Sequence, residues 1–400
     1  MTTPVSGRVG GSPALAKAVG GLGTESAFAV LARAGELERQ GRSIIHLEIG
    51  EPDFPTAAHI CEAAFAAVRA GQTHYCPTAG LPEFRSAIAT EMSRTRGISI
   101  PAERVLVGNG AKPFLFFTIL AVCESGDEIV YPDPGFPIYE SAIRWAGGIP
   151  VALPLREHRE FAFDPEELGA RLSERTKLVI LNSPNNPTGG VIGAEDLRTA
   201  AEMILRTSAW VLSDEVYSRM LYTDTFCSIA NVPGMLERTV VLDGLSKSHS
   251  MTGWRCGYAC VPEPLVDPIT RFFVNSTSCV PPFIQHAGIA ALEGPQDHVT
   301  AMVDEFRARR NMVVAGLNDL PGISCRTPRG AFYAFPNVSE LPIPAETLAE
   351  RMLEEAGVAL LAGSAFGAEG ADHLRISYAN SRANLTVALG HMKQFLDELT

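Results

Sequence analysis

A lysine and an arginine stand eight positions apart in the stretch VLDGLSKSHSMTGWRCGY, which spans residues 241–258. Lys247 follows an apolar run over residues 239–242 that is typical of a buried strand. An ammonium group at such a place costs several kcal/mol to desolvate unless it is neutralised. An imine between the lysine amine and an aldehyde removes the charge, and it is a standard form of nucleophilic catalysis. For one lysine alone, a loop side chain that reaches solvent is the simpler explanation. Whether Lys247 is catalytic therefore depends on the residues that follow the other predicted strands.

Three further apolar runs, each typical of a buried strand, also end in polar residues. The runs and their sequels are residues 105–107 with GNGAK (108–112), residues 178–181 with NSPNNPTG (182–189) and residues 210–212 with SDEVY (213–217). Ligands of open parallel sheets bind beyond the carboxyl ends of the strands, so these sequels can meet at one site. Backbone N–H groups at a glycine turn before a helix favour a phosphate.

Each sequel also has an ordinary structural explanation. The glycines can form a tight turn, and Asp214 can cap a helix. A proline turn explains 182–189 except for its two adjacent asparagines, Asn185 and Asn186, of which only one can serve the turn. Taken together with Lys247 and Arg255, the strand ends predict a site for a cofactor with a phosphate, a phenolic oxygen and a pyridine nitrogen.

The elements that must position these residues alternate along the chain. Short apolar runs predict seven strands, at residues 105–107, 128–131, 150–153, 178–181, 210–212, 239–242 and 256–261. Helical patterns lie between them, near residues 113–124, 137–146, 164–174, 194–207 and 228–236. This alternation predicts an α/β fold with a mostly parallel seven-stranded sheet flanked by helices.

Both chain ends are expected to form a smaller α+β domain. Strand patterns recur at residues 43–49, 331–335, 359–361 and 374–378, and the first 23 residues have the glycine content of an arm. We therefore expect an arm and part of the small domain over residues 1–55, the large domain over 56–295, and the rest of the small domain over 296–400.

Composition excludes several classes of protein. The net charge is -12 and no basic block occurs, which disfavours a nucleic-acid partner. The 8 cysteines and 9 histidines show neither CxxC nor HExxH spacing, so no metal site or disulfide framework is expected. The longest apolar run, residues 113–123, is shorter than the roughly 20 residues that span a bilayer, and no signal-peptide core begins the chain. We expect a cytoplasmic protein without a membrane partner.

The motifs resemble those of class I aminotransferases of the aspartate aminotransferase superfamily, which bind pyridoxal 5'-phosphate on fold type I. They are IGEPDF (49–54), YCPTAGLPEFR (75–85), GAK (110–112), PDPGFPIY (132–139), NSPNNPTG (182–189), SDEVY (213–217), SK (246–247) with MTGWRCGY (251–258), GAFYAFP (330–336) and LRISYA (374–379). The likeness runs from about residue 43 to residue 381.

The resemblance implies a role for each main residue. Lys247 is expected to bond the cofactor aldehyde and then to move the substrate's α-proton. Asp214 is expected to keep the pyridine nitrogen protonated, and Asn186 and Tyr217 to hydrogen-bond the phenolic oxygen. Arg255 is expected to hold the phosphate as a bidentate donor.

The resemblance also implies a set of secondary contacts. The expected cofactor contacts are the Gly110 and Ala111 N–H groups, Ser246, the Phe136 ring stacked on the pyridine, and Tyr75 from a neighbouring subunit. Arg375, beside Gly50 and Asn186, is expected to bind the substrate α-carboxylate. Position 244 is glycine where some relatives carry a phosphate-binding serine, so Ser246 or Ser248 is the expected replacement. Lys112 stays open between the phosphate, an acidic substrate side chain and solvent.

These roles predict a homodimeric aminotransferase that passes an amino group from an amino acid to a 2-oxo acid by a ping-pong mechanism. A carbon–sulfur β-lyase is the alternative, since it needs the same Lys247 and Asp214. A ligand-sensing regulatory protein is a third reading, but the arm is too short and glycine-rich for a DNA-binding module. The amino donor is not specified by the sequence. Candidate pocket walls are residues 22–29, Ile49, Phe114 and Phe332, an apolar set that could equally belong to the core.

Overall fold

The structure is a computed structural model that describes residues 15–222 and 225–399. Most of the predicted arm, residues 1–14, therefore lies outside the described residues. The helices are α1 Ser26–Arg39, α2 Ala58–Arg69, α3 Pro82–Arg96, α4 Lys112–Val122, α5 Ile138–Trp145, α6 Pro165–Arg171, α7 Ala194–Ile204, α8 Leu245–Ser248, α9 Glu263–Ser276, α10 Pro282–Glu293, α11 Asp297–Asn318, α12 Ala345–Glu354 and α13 Arg382–Leu399.

The strands are β1 Ile45–His46, β2 Val105–Gly108, β3 Glu128–Asp133, β4 Ile149–Arg156, β5 Ala162–Phe163, β6 Thr176–Asn182, β7 Trp210–Asp214, β8 Thr239–Gly244, β9 Gly257–Cys260, β10 Tyr333–Ala334, β11 Val358–Ala359, β12 Leu361–Ala362 and β13 Leu374–Ser377. No helix within the described ranges is long and apolar enough to cross a membrane.

The main sheet has the order β2-β9-β8-β7-β6-β3-β4-β5. Strands β8, β7, β6, β3 and β4 pair in parallel, and β9 runs antiparallel to both of its neighbours. The carboxyl ends of β6, β7 and β8 therefore meet at one edge of the sheet, and β9 begins there, because Gly257 pairs with both Gly108 and Gly244. The predicted α/β fold with a mostly parallel sheet is confirmed.

Both faces of this sheet are covered by helices. Successive strand residues enter different cores: Leu178 and Ile180 pack on one side with Phe114 of α4, and Val179 and Leu181 pack on the other with Leu197 of α7. Strands buried on both faces read as continuous apolar runs, which is why the runs were visible in the sequence.

The sheet differs from the prediction by an eighth strand, β5. Its two residues pair antiparallel with the end of β4 and form the sheet edge. A pair so short has too little alternation to be seen as a strand. The helix predicted at residues 228–236 is also wrong, because Pro233 and Gly234 restrict this segment to short 3-10 turns at Ile229–Asn231 and Leu236–Arg238. Helix α9 was not predicted, and it contains Pro268.

The smaller α+β part joins both ends of the chain, as predicted. Strand β1 pairs in parallel with β11, and β13 lies between β10 and β12 in a three-stranded antiparallel sheet. Helices α11, α12 and α13 pack with these strands around one apolar core. The domain limits at residues 55 and 295 stay predictions.

Candidate active site

A cavity of about 490 Å³ opens where the carboxyl edge of the main sheet faces the smaller part. The residues predicted to bind the cofactor or the substrate line this cavity except Gly110, Tyr75 and Ser248, the alternative to Ser246. The predicted residues in its wall are Gly50, Ala111, Lys112, Phe136, Asn186, Asp214, Tyr217, Ser246, Lys247, Arg255 and Arg375. The cavity therefore draws on the ends of β6, β7 and β8, on the turn after β2, and on β13.

Lys247 lies on the single-turn helix α8, directly after β8 ends. Its Nζ donates a hydrogen bond to the carbonyl oxygen of Gly50 at 2.6 Å. Burial lowers the pKa of Lys247 to about 8. At pH 7 about one such amine in ten is uncharged, far more than for a solvent-exposed lysine. The local structure thus provides a nucleophilic amine near neutral pH.

Asp214 is the last residue of β7 and is buried. Its Oδ2 accepts a hydrogen bond from the Tyr139 hydroxyl at 2.6 Å, and the Val216 N–H lies 3.4 Å from Oδ1. Burial raises the pKa of Asp214 to about 6, against the lowering effect of the Tyr139 hydrogen bond. The carboxylate is therefore mostly ionised at neutral pH and can pair with a protonated ring nitrogen.

The two adjacent asparagines of NSPNNPTG have different tasks. Asn185 serves the turn, because its Oδ1 accepts hydrogen bonds from the N–H of Thr188 at 3.2 Å and from its hydroxyl at 2.8 Å. Asn186 instead lines the cavity, and its N–H donates to Oδ1 of Asn182 at 2.9 Å. Asn182 in turn donates to the carbonyl oxygen of Asp214 at 3.0 Å, which ties the ends of β6 and β7 together.

A compact cradle forms where the start of β9 meets the turn before α4. A Cβ atom on Gly257 would lie 2.3 Å from the N atom of Ala111, and one on Gly110 would lie 2.2 Å from Nη2 of Arg255. Gly110 also has φ +92°, which favours glycine. Two glycines thus allow the Arg255 guanidinium and the Ala111 N–H to approach one space at the amino end of α4, an arrangement suited to an anion.

Arg375 enters the cavity from β13 and is 4% exposed. Its Nη2 donates to the carbonyl oxygen of Glu48, and its Nη1 donates to Oδ1 of Asn186 at 3.3 Å. The guanidinium carbon lies 4.8 Å from the Tyr333 ring centroid and 4.9 Å from that of Phe366. Its Nε–H has no hydrogen-bond partner among the residues that the structure describes, and burial lowers the pKa of Arg375. A buried cation with an unused donor is suited to an incoming carboxylate.

Residues 42–392 match the family described as aminotransferase class I and II. The chain belongs to this family. An aspartate aminotransferase from Geobacillus stearothermophilus is 38% identical to it over 390 residues, which is 96% of this chain and 99% of the relative.

Solved structures of other aminotransferases have the same fold. The aspartate aminotransferase from Thermus thermophilus with maleate matches with a TM-score of 0.92 at 36% identity, over 96% of this chain and 100% of that one. The aromatic aminotransferase from Pyrococcus horikoshii OT3 matches with a TM-score of 0.87 at 37% identity, over 92% and 99%. The chain is an aminotransferase, so the predicted reaction class is confirmed.

Aminotransferases of this family use pyridoxal phosphate, and the residues of the cavity fit it. The glycine-lined cradle at Gly110 and Gly257 has the chemistry of a phosphate site, and Lys247 provides an amine for the aldehyde. The part of the chain that the structure describes holds no group of His, Cys, Asp and Glu residues that could bind a metal ion.

Lys112 in the cavity wall and Tyr75 outside the cavity are two predicted residues of the aminotransferase whose surroundings the sequence left open. The Lys112 ammonium forms an ion pair with the Glu25 carboxylate and lies 5.3 Å from the centroid of the Phe136 ring. Tyr75 does not line the cavity of its own chain and is 91% exposed. The structure thus gives Lys112 a protein partner that the sequence did not indicate.

Among the expected pocket walls, Ile49 and residues 25–28 line the cavity. Residues 22–24, Ala29, Phe114 and Phe332 do not line it, and the two phenylalanines belong to the core, the alternative that the sequence left open for them. Both rings are fully buried in apolar cores, Phe114 against Phe273 and Phe332 against Phe306. An apolar residue beside a motif looks the same in sequence whether it faces a core or a cavity.

Two aromatic residues of the aminotransferase site were missed by sequence reasoning. Tyr139 is the hydroxyl partner of Asp214, and the Tyr333 hydroxyl lies 2.7 Å from that of Tyr217. Both belong to motifs that carry the resemblance, PDPGFPIY and GAFYAFP, so the signal was present. Tyr333 also requires glycine at position 50, where a Cβ atom would lie 2.1 Å from its hydroxyl.

Proposed function

We propose that this aminotransferase carries out both half-reactions with Lys247 as its proton-transfer residue. In the first, an amino acid leaves its amino group on the enzyme; in the second, a 2-oxo acid takes the amino group up. Bound pyridoxal phosphate supplies the aldehyde that accepts the amino group and a ring that withdraws electrons from the substrate's Cα. The low pKa of Lys247 is the observation that carries the proposal, because an amine near neutrality can both accept and return a proton.

The remaining groups orient the reactants and control their charge. Asp214 can hold a proton on the ring nitrogen, since its carboxylate is buried at the base of the cavity with only neutral hydrogen-bond donors on its oxygens. Asn186 and Tyr217 stand beside it as hydrogen-bond donors toward the phenolic oxygen. Arg255 and the Ala111 N–H form the proposed phosphate cradle, with Ser246 in the same cavity wall. The Gly110 N–H, which was expected here from the sequence, instead donates to the carbonyl oxygen of Gly108 at 2.7 Å.

Arg375 is proposed to bind the α-carboxylate of the substrate. Its unused Nε–H and the neighbouring Asn186 face the cavity from the side of the smaller part. Gly50 connects the cofactor site with the proposed α-carboxylate site, because its carbonyl oxygen accepts the hydrogen bond of Lys247. A substrate carboxylate bound by Arg375 of β13 would therefore hold the substrate beside Lys247 and Asn186, which follow the ends of β8 and β6.

We infer further that the enzyme is a cytoplasmic homodimer with shared sites. The Tyr75 side chain is 91% exposed, and nearby α2 exposes Phe65 and Val68, so this surface offers aromatic and apolar groups to a second chain. Phe136, which faces its own cavity, remains the proposed stacking partner of the cofactor ring. All eight cysteines are free thiols in this structure, which suits a reducing compartment.

Borohydride reduction of the cofactor-loaded enzyme tests the assignment of Lys247. Reduction followed by peptide mass spectrometry is expected to find the cofactor on Lys247. Lys112, the other lysine of the cavity wall, is the internal control. A label on Lys112, or an undiminished label in a Lys247→Ala variant, contradicts the assignment.

A further inference from the structure

Two charged residues of the cavity wall have no part in the chemistry described above. Glu25 directly precedes α1, and Lys112 is the first residue of α4. Their side chains form an ion pair across the cavity wall, where Glu25 is 20% and Lys112 is 46% exposed. Because 87 positions separate the two residues, the pair also fixes the start of α1 against the main sheet.

The Glu25 carboxylate acts on the centre of the site as well as on Lys112. Burial lowers the pKa of both Lys247 and Arg375, and the charge of Glu25 opposes that lowering in each case. Lys247 and Arg375 are the two residues proposed to act on the substrate, one at its Cα and the other at its α-carboxylate. A negative charge that reaches both of them also reaches the side chain of a bound amino acid.

Among the described residues, the rest of the cavity wall combines apolar side chains with the hydroxyls of Ser26 and Thr252 and one further carboxylate. Its apolar wall residues include Phe28, Ile49, Phe136 and Leu361. Besides Glu25 and Asp214, which is assigned to the cofactor, the wall contains the carboxylate of Glu51, which accepts a hydrogen bond from the Thr252 hydroxyl. Within the described part of the chain, the charged wall groups outside the cofactor and α-carboxylate sites are therefore Glu25, Glu51 and Lys112, and their summed charge is negative.

We propose that Glu25 determines the class of amino donor: it occupies Lys112 and so selects amino acids with an uncharged, apolar side chain over acidic ones. This rests on the proposed transamination and on Arg375 as the α-carboxylate site. An acidic side chain would have to displace Glu25 from the one ammonium group available to it. It would also lie near two carboxylates, which disfavours it further.

Binding of substrate-like acids tests the proposal without turnover. Calorimetry on the cofactor-loaded enzyme compares maleate, a dicarboxylate, with 3-phenylpropionate, an apolar monocarboxylate. Glu25→Gln is expected to tighten maleate binding by about threefold to fivefold, the upper part of the range for one partly exposed ion pair. The affinity for 3-phenylpropionate should stay within about twofold. Adding Lys112→Met to Glu25→Gln should abolish the gain for maleate.

A control variant separates the local pair from general charge. Glu36 lies on the same helix and pairs with exposed Arg33, so Glu36→Gln changes the net charge equally and should leave maleate binding unchanged. Unchanged maleate affinity in Glu25→Gln overturns the proposal. An equal gain in Glu36→Gln does the same, since it would assign the effect to net charge.

Donor kinetics complete the test and separate it from the proposed function. The wild type is expected to prefer leucine or phenylalanine over aspartate in kcat/KM, and Glu25→Gln to shift the ratio toward aspartate. A wild type that prefers aspartate, or a basic amino acid, overturns the donor class. If no amino acid changes the cofactor's absorption, the proposed transamination has failed instead, whatever the binding results.

Discussion

Replacing Lys247 by methionine is expected to stabilise the cofactor-free protein. Burial moves the pKa of Lys247 from 10.5 to about 8, which corresponds to about 3 kcal/mol of unfavourable desolvation in the folded state. Methionine has a similar length and no charge, so it avoids this cost. It also loses the hydrogen bond to Gly50, worth about 1 kcal/mol. The expected net gain is about 2 kcal/mol at pH 7.

The gain should depend on pH in a defined direction. Below about pH 8 the lysine is protonated in both the folded and the unfolded chain, so the full cost is present. Between about pH 8 and 10.5 the unfolded chain binds more protons than the folded one, and the stability of the wild type rises relative to the variant. The difference between the two proteins should therefore shrink toward pH 10.5.

Urea unfolding of the two cofactor-free proteins at pH 7 and pH 10 measures this difference. Equal protein concentrations are needed because the stability of the proposed homodimer would depend on concentration. Lys112→Met is the matched control, and its partly exposed ion pair should change stability by less than about 1 kcal/mol. If the wild type is more stable than Lys247→Met at pH 7, the desolvation cost assigned to Lys247 is refuted. A stability difference that does not change with pH would refute it as well.

Three further predictions concern the cradle, the substrate site and the interface. Gly110→Ala should weaken cofactor binding at least about tenfold, because the new Cβ overlaps the neighbouring guanidinium, whereas Gly253→Ala has nothing within 4 Å and should bind normally by fluorescence titration. Arg375→Ala should raise the donor KM about a hundredfold but keep the cofactor's absorption spectrum; a lost spectrum would assign Arg375 to the cofactor. Tyr75→Ala mixed with Lys247→Ala should regain activity in verified heterodimers, and no recovery would count against a shared site.

Much of the architecture could be predicted because the parallel strands are buried on both faces. Burial on both sides produced uninterrupted apolar runs, and all seven predicted strands of the main sheet exist. Weak local signals caused the errors. The strand β5 has two residues, the segment around Pro233 cannot continue a helix, and α9 contains a proline.

The residue types and their spacing in the sequence were enough to predict which chemical groups meet at the candidate site. Lys247 and Arg255 lie in one local stretch, and Asp214 and Asn186 follow the ends of predicted strands. Because parallel strands deliver their carboxyl ends to the same edge, strand order was not needed to expect that these groups meet.

The hydrogen-bond and ion-pair partners of these side chains became known only from the tertiary structure. It gave Asn185 to the turn and Asn186 to the cavity, and it placed the Tyr139 hydroxyl on Asp214. It also brought Glu25 to Lys112. Such pairs join segments distant in sequence, so they depend on how helices pack against the sheet, which no local pattern encodes. The cofactor chemistry could therefore be predicted from residue types. The Glu25–Lys112 ion pair, which we propose faces the substrate's side chain, could not, because it depends on packing.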